Sequence, residues 1–252
     1  MTRTNVPAES KVPEVTILFW ILKIAATTLG ETGGDAVSMS MDLGYLVATA
    51  IFGLLFFIAV GAQIAARKFH PYLYWTTIVA TTTVGTTLAD FADRSLGIGY
   101  PGGTALLLAL LITSLAVWYR ALGTVAVDSV SSPRSEMFYW VTIMFSQTLG
   151  TALGDWTADT IGMGYLGGAA IFFGLLLLIV VLYRWSKISR TALFWAAFVL
   201  TRPLGAVLGD FLDKPIEHGG LALDRYWASV VLLVFMIGCI AIFPQRAARK
   251  SH

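Results

Sequence analysis

The sequence predicts an all-α integral membrane protein with eight transmembrane helices, arranged as four parallel two-helix repeats. Two observations predict this class. First, the 252-residue chain is 57% hydrophobic and only 13% charged, with a mean hydropathy of +0.75. A soluble domain has about 25% charged residues and could not cover so much apolar surface. Second, a set of landmark residues recurs four times in fixed register, which is typical of a repeat architecture.

Each repeat is marked by a Gly with an Asp five residues after it. A Trp precedes each of these glycines by ten residues, and a second Gly follows it by fourteen. The four landmark sets are Trp20, Gly30, Asp35 and Gly44; Trp75, Gly85, Asp90 and Gly99; Trp140, Gly150, Asp155 and Gly164; and Trp195, Gly205, Asp210 and Gly219. Because each repeat holds two spans, successive repeats have the same orientation in the membrane.

Eight apolar runs are long enough to cross a bilayer, which requires about 20 residues. The predicted spans are 15–37, 43–66, 72–93, 98–119, 137–159, 164–184, 191–212 and 222–243. Because these runs are continuous and do not alternate, they indicate helices rather than a barrel. The predicted segments are a tail at 1–14, a first half at 15–120, a linker at 121–136, a second half at 137–245 and a basic tail at 246–252.

Basic residues concentrate at the ends of the even-numbered spans. They are Arg67, Lys68, Arg120, Arg184, Lys187, Arg190, Arg246, Arg249 and Lys250. The positive-inside bias therefore predicts that both termini and the linker are cytoplasmic. The repeated Trp residues near this side suit an aromatic belt at the membrane interface.

A polar stripe follows one face of every odd-numbered span. Residues four apart share a helix face, and stepping back in fours from each repeated Asp gives the stripe. The four stripes are Asp35, Glu31, Thr27 and Lys23; Asp90, Thr86, Thr82 and Ile78; Asp155, Thr151, Gln147 and Ile143; and Asp210, Ala206, Arg202 and Phe198. The even spans have no counterpart, so the odd helices are predicted to be inner and the even helices outer.

The stripes predict a cation pathway lined by acids and by neutral polar residues. Its candidate residues are Glu31, Asp35, Asp90, Asp155, Asp210, Thr82, Thr86, Gln147 and Thr151. The five acids outnumber the two inner bases, Lys23 and Arg202, which favours a bound cation or protonated acids. The alternative for the repeated Asp residues is that they are helix-end groups solvated by headgroup water. For the acids as a set, we expect convergence into a shared acidic vestibule.

Lys23 and Arg202 are predicted to lie deep in the membrane. A charge there costs at least about 2.5 kcal/mol on insertion scales, so such residues usually pair or line a water-filled path. Lys23 is expected to pair with Glu31 or with acids on neighbouring helices. The two bases act either as counter-charges that regulate an acidic pathway or as partners in ion pairs that fix helix register.

The repeated glycines have two interpretations. Small residues let membrane helices approach closely, and Gly can also mark a helix break that exposes carbonyls to an ion. The residues concerned are Gly30, Gly85, Gly150 and Gly205.

These features predict a transporter for cations. Carboxylate and hydroxyl ligands without clustered Cys or His suit Mg, Ca or Mn, and manganese is the specific expectation, with protons as the competitor. The alternative is a non-transporting interaction or regulatory protein whose charges only fix helix packing. No enzyme constellation is present, and no cofactor is expected beyond a bound divalent cation. The expected partners are membrane lipid and the transported cation, without nucleic acid, and a homo-oligomer is left open.

The chain resembles a family of bacterial integral membrane proteins with fourfold Gly-x-x-x-x-Asp…Gly-Tyr repeats. The first copy matches as Leu29 to Asp35 followed by Leu43-Gly44-Tyr45, and the matching stretch extends from Trp20 to Pro244. The fourth copy departs, with Arg202-Pro203 in place of a Thr pair and Gly220 in place of the Tyr. Members are labelled uncharacterised, or "membrane-anchored protein predicted to be involved in regulation of amylopullulanase". The resemblance implies a bacterial source, and the predicted location is the inner membrane.

Overall fold

The computed structural model describes residues 9–249, which form eight long helices. The helices are α1 (Ile17–Asp35), α2 (Gly44–Ala65), α3 (Pro71–Asp90), α4 (Tyr100–Leu122), α5 (Pro133–Asp155), α6 (Gly164–Trp185), α7 (Arg190–Asp213) and α8 (Arg225–Ile242). Within residues 9–249 the only β-structure is a single bridge between Pro13 and Ala247. The all-α class with eight helices is therefore confirmed.

The second repeated Gly has a conformational role in every repeat. Gly44, Gly99, Gly164 and Gly219 have φ angles of 73°, 73°, 65° and 85°. Residues with a side chain rarely adopt such positive φ values, whereas Gly does so at little cost. Gly99 and Gly219 lie in the connection that reverses the chain between an odd helix and the following even helix, and Gly44 and Gly164 are the first residues of α2 and α6.

The four odd helices form a closed ring, in which α1 and α5 each pack against both α3 and α7. The first repeated Gly of each helix lies against a stripe residue of the next helix around the ring. These pairs are Gly30 with Thr82, Gly85 with Gln147, Gly150 with Arg202 and Gly205 with Thr27. Because all four pairs have the same register, the odd helices run parallel and are related by a pseudo-fourfold axis.

The same contacts decide between the two interpretations of the repeated glycines. Each odd helix continues without interruption through its Gly, so none of the four marks a helix break. The missing side chain instead allows the backbone to approach its neighbour closely. The glycines are therefore close-packing residues.

The even helices surround this ring. Helix α2 packs on α3, α4 on α5, α6 on α7, and α8 returns to α1. Each even helix thus covers the odd helix of the following repeat. Five helices, namely α2, α4, α6, α7 and α8, are long and apolar enough to cross a membrane by length and composition. The remaining three, α1, α3 and α5, form the ring together with α7, and their buried polar stripes face its interior.

The repeated Trp residues do not form the predicted belt at the lipid interface. Trp75, Trp140 and Trp195 are 1–5% exposed and pack edge-on against other aromatic rings inside the bundle. The indole of Trp75 donates to Gln245 Oε1 at 2.8 Å. The prediction is wrong for these three residues, because neighbouring aromatic rings and, for Trp75, the C-terminal segment cover them. Only Trp20 is half-buried.

The end of the predicted N-terminal tail packs against the bundle. Lys11 is buried, and its Nζ lies 2.6 Å from Oε1 of Glu136 at the start of α5. Pro13 forms its bridge with Ala247, so the two terminal segments lie side by side. A buried carboxylate requires a counter-charge, and Lys11 supplies it. The rest of the predicted tails, 1–8 and 250–252, lies outside the described residues, and the connection between the halves is 123–132.

Cysteine labelling can determine the orientation of the bundle in the membrane. In a Cys239→Ser background, a cysteine at Ser131 should be protected from an impermeant reagent added outside the cell, whereas a cysteine at Gly102 should react. The basic residues that follow the even helices are the reason for this expectation. Modification of both positions from outside would contradict the predicted arrangement.

Candidate functional site

The stripe residues of the odd helices stack as four layers along the axis of the ring. The aspartate layer is Asp35, Asp90, Asp155 and Asp210; the glutamate layer is Glu31, Thr86, Thr151 and Ala206; the arginine layer is Thr27, Thr82, Gln147 and Arg202; and the lysine layer is Lys23, Ile78, Ile143 and Phe198. Every one of these residues is at most 3% exposed. The structure therefore brings together all the polar residues that the stripes predicted.

Arg202 connects all four odd helices. Its Nη2 donates to Glu31 Oε2 on α1 at 2.9 Å and to Thr86 Oγ1 on α3 at 2.6 Å. Thr151 Oγ1 on α5 lies within hydrogen-bonding distance of the same atom, so its two N–H groups are shared among three acceptors. Arg202 itself belongs to α7, so one guanidinium group holds the centre of the ring.

Lys23 has no carboxylate partner in the described structure. Its Nζ lies 3.3 Å from Gln147 Oε1 and 4.3 Å from the centre of the Phe198 ring. The predicted pair between Lys23 and Glu31 does not form, because Arg202 occupies the Glu31 carboxylate. Lys23 is instead held by a neutral amide and by an aromatic face, which attracts a cation weakly.

Two bases from the connecting turns neutralise part of the aspartate layer. Arg94 lies 3.1 Å from both Asp90 and Asp155. Lys214 pairs with Asp35 and lies 3.2 Å from Asp210. Each base thus bridges the Asp of its own repeat to that of the next repeat. Because only the second and fourth repeats carry such a base, the fourfold arrangement becomes twofold in this layer.

The ion pairs extend to Arg225 at the start of α8, whose Nε lies 3.0 Å from Asp213 and 4.0 Å from Asp35. We call the connected set the aspartate cluster. Its members are Asp35, Asp90, Asp155, Asp210, Asp213, Arg94, Lys214 and Arg225. Five carboxylates face three bases, so the cluster has a formal charge of −2. Two carboxylate oxygens of the cluster, Asp155 Oδ1 and Asp213 Oδ1, are buried without a hydrogen-bond partner among the described residues.

Lys214 follows the last residue of α7 and remains charged in this cluster. Burial by itself lowers its pKa, but Asp210, Asp35 and Asp213 outweigh that effect. The pKa of Lys214 therefore lies well above its usual value. The lysine therefore stays protonated across the physiological pH range.

The carboxylates approach one another closely enough to share an ion. Ligand oxygens within 4.8 Å of each other occur in three triads, which are Glu31, Asp155 and Asp210; Glu31, Asp35 and Asp90; and Asp35, Asp210 and Asp213. Mg²⁺ and Ca²⁺ bind oxygen at roughly 2.0–2.6 Å, so two ligands of one ion are at most about 5 Å apart. The spacing of these oxygens therefore fits a hard divalent cation, and Glu31 belongs to two of the triads.

The acids converge as predicted, but they do not line an open vestibule. The aspartate-layer carboxylates are buried and paired with bases, because Arg94 and Lys214 fold over them. The opposite end of the ring is closed by an aromatic layer consisting of Phe19, Tyr74, Tyr139 and Phe194. Within this layer the hydroxyl groups of Tyr74 and Tyr139, on the neighbouring helices α3 and α5, lie 2.6 Å apart. The site is thus occluded from both sides of the bundle.

The sequence reasoning missed the role of four charged residues. Arg94 and Lys214 were not singled out, although each lies four residues after a repeated Asp, a spacing that brings side chains together on a helix. That signal could have found them. Arg225 and Asp213 gave no such signal, because their pairing depends on how α8 packs.

A further feature that was not predicted follows the aspartate layer. Five-residue π-helical turns begin directly after Asp35, Asp90 and Asp155, at Ala36–Ser40, Phe91–Ser95 and Trp156–Thr160. Such turns are rare and frequently occur at functional sites. They place Arg94 where it reaches two of the aspartates.

The fold and the site define a multi-pass membrane protein with four helical-hairpin repeats around a buried ionic axis. Four consecutive segments, 18–69, 73–124, 138–189 and 193–245, match the family described as "Repeat of Unknown Function (DUF347)". The chain belongs to this family, which confirms the predicted fourfold repeat. No curated protein and no solved structure matches the chain.

Proposed function

We propose that this protein is a cation transporter of the bacterial inner membrane, with both termini in the cytoplasm. The observation that carries the proposal is the formal charge of −2 on the buried aspartate cluster, which one divalent cation would neutralise. Uncompensated charge is costly in a membrane interior, and intramembrane acids commonly mark ion pathways. Manganese is the proposed substrate among the hard divalent ions.

The transported ion would bind between Glu31 and the aspartate layer. Carboxylates of the triads supply oxygen ligands, and the unpartnered Asp155 Oδ1 is available without breaking a contact. An incoming cation competes with Arg94 and Lys214 for the same carboxylates. Displacement of these bases would loosen the bridges between neighbouring repeats, which couples binding to movement of the odd helices.

The occluded axis supports a carrier rather than an open channel. A cation that reaches the aspartate cluster must still pass the arginine layer and the aromatic layer. Both layers are closed by contacts between different odd helices, such as the Tyr74–Tyr139 hydrogen bond. Transport therefore requires the ring to rearrange between states that expose the site alternately.

The pairing of the buried acids with bases favours a second candidate function. Glu31 and each member of the aspartate layer already has a basic partner, as expected if the charges only hold the helices together. In that case the protein would be a non-transporting interaction or regulatory protein. Protons are the competing substrate for the transport function, since the same carboxylates could carry them.

The deciding experiment measures Mn²⁺ binding by calorimetry and Mn²⁺ flux in proteoliposomes. Asp155→Asn and Glu31→Gln remove a ligand charge with little change in shape, and each should weaken Mn²⁺ binding about tenfold or more, which corresponds to about 1.4 kcal/mol. Wild-type affinity should rise with pH, because bound carboxylates must lose their protons.

Asp159→Asn is the matched control. Asp159 is exposed on the π-helical turn after Asp155, so the same change of charge there should leave binding intact. Mn²⁺ binding that is missing in the wild type, or unchanged in Asp155→Asn and Glu31→Gln, would leave helix packing as the better account. Proton flux without Mn²⁺ flux would identify the competing substrate.

A further inference from the structure

Three N–H donor groups and the Thr82 hydroxyl are buried without hydrogen-bond partners in the deeper half of the axis, so donors predominate there. Nε and Nη1 of Arg202 and Nε2 of Gln147 have no hydrogen-bond partner among the described residues, although both side chains are fully buried. Lys23 has three N–H groups and a single side-chain acceptor, Gln147 Oε1. Unpartnered buried donors are expensive, and more so when the group is charged.

The same region also has an excess of positive charge. Lys23 and Arg202 are both fully buried, and Glu31 is the one carboxylate in the lysine, arginine and glutamate layers. Glu31 compensates Arg202, which leaves one positive charge without a partner. The Phe198 ring beside Lys23 contributes a weak attraction that does not replace a counter-ion.

The unpartnered donors belong to neighbouring positions on the axis. Gln147 shares the arginine layer with Arg202, and its side chain contacts Lys23 one layer below. Ile78 and Ile143 complete the lysine layer with apolar side chains and are fully buried. On the other side, the ion pair between Arg202 and Glu31 separates these donors from the aspartate cluster. The donors are thus enclosed between an apolar floor and an ion pair.

We propose that Arg202, Lys23 and Gln147 form a binding site for one small monovalent anion, such as chloride. Nε and Nη1 of Arg202, Nζ of Lys23 and Nε2 of Gln147 would donate to it. A single negative charge neutralises the excess, and the enclosure restricts the ligand to a small ion. The site lies deeper than the aspartate cluster and does not depend on whether that cluster carries a cation.

The test compares the melting temperature of the purified full-length protein in sodium chloride, bromide, nitrate and gluconate at equal ionic strength. The three small anions should raise Tm relative to gluconate, which is too large for the site. At about one hundred times the Kd, the increase should be roughly 5–10 °C. In crystals grown with bromide, an anomalous peak should appear beside Arg202.

Lys23→Met removes the excess charge and should abolish the difference between chloride and gluconate. Gln147→Leu, which removes one donor, should reduce the difference and serves if Lys23→Met does not fold. Lys187→Met removes the same charge from an exposed loop and should keep the full chloride response. Equal Tm values in all four wild-type salts, or a full response in Lys23→Met, would show that water alone satisfies these donors.

Discussion

Replacement of Arg202 by Met should destabilise the protein more than any other single charge removal along the axis. Met keeps most of the side-chain volume against Gly150, but it leaves Glu31 as a buried carboxylate without a counter-charge. Loss of one partner from a buried pair typically costs about 3–5 kcal/mol. We expect Tm of the detergent-purified protein to fall by roughly 10 °C or more.

The double variant Arg202→Met with Glu31→Gln separates the lost pair from the lost packing. Removing the second charge should recover a large part of the stability, because contacting residues show strong coupling in a double-mutant cycle. If Arg202→Met alone melts with the wild type, or the second change adds to the loss, the pair does not hold the centre of the ring.

Replacement of Gly205 by Ala should also be severely destabilising. An added Cβ would lie 2.9 Å from the backbone carbonyl carbon of Thr27 and closer still to its side chain. Helices α7 and α1 would have to separate, and overpacking of this kind costs typically about 1–3 kcal/mol. Tm and the yield of monodisperse protein are the measurements.

Gly174→Ala supplies the control for this prediction. Gly174 lies in α6, where no atom outside its local helical backbone is within 4 Å of an added Cβ. The same chemical change should therefore be neutral or stabilise by about 0.5–1 kcal/mol, since Ala favours a helix more than Gly does. Equal effects at the two positions would contradict the close approach of α7 to α1.

The inner helix of each repeat could be predicted from the sequence, because its buried face depends on the regular spacing of residues along the helix. Asp, Gly and the residues four apart from them recur at constant spacing, and a helix converts constant spacing into a shared face. Thr82 and Gln147 were assigned to the interior on this ground alone, and both are buried. Gly44 and its equivalents were likewise found by their spacing, although the positive φ that explains them is visible only in the structure.

The charges that close the site could not be predicted in the same way. Long side chains reach across helices, so the partner of a base depends on packing rather than on register. Lys23 was expected to form an ion pair with Glu31, but the Glu31 carboxylate pairs with Arg202 instead. Lys11 was assigned to a tail, yet it is buried against Glu136, more than a hundred residues away. Such pairings depend on contacts between distant segments, which a pattern in one stretch of chain does not report.

Helix α8 packs against α1, although α1 is the first of the eight helices to be synthesised and α8 is the last. Helix α1 leaves the ribosome first, but two of its principal neighbours, α7 and α8, are synthesised last. Until α7 and α8 have been inserted, one face of α1 remains uncovered. The Glu31 carboxylate also lacks the guanidinium group of Arg202 until then. Insertion of α7 and α8 therefore closes the ring of odd helices and covers α1 in the same step. The bridge between Pro13 and Ala247 brings together the segments before α1 and after α8, so the fourth repeat meets the first as consecutive repeats meet elsewhere in the ring.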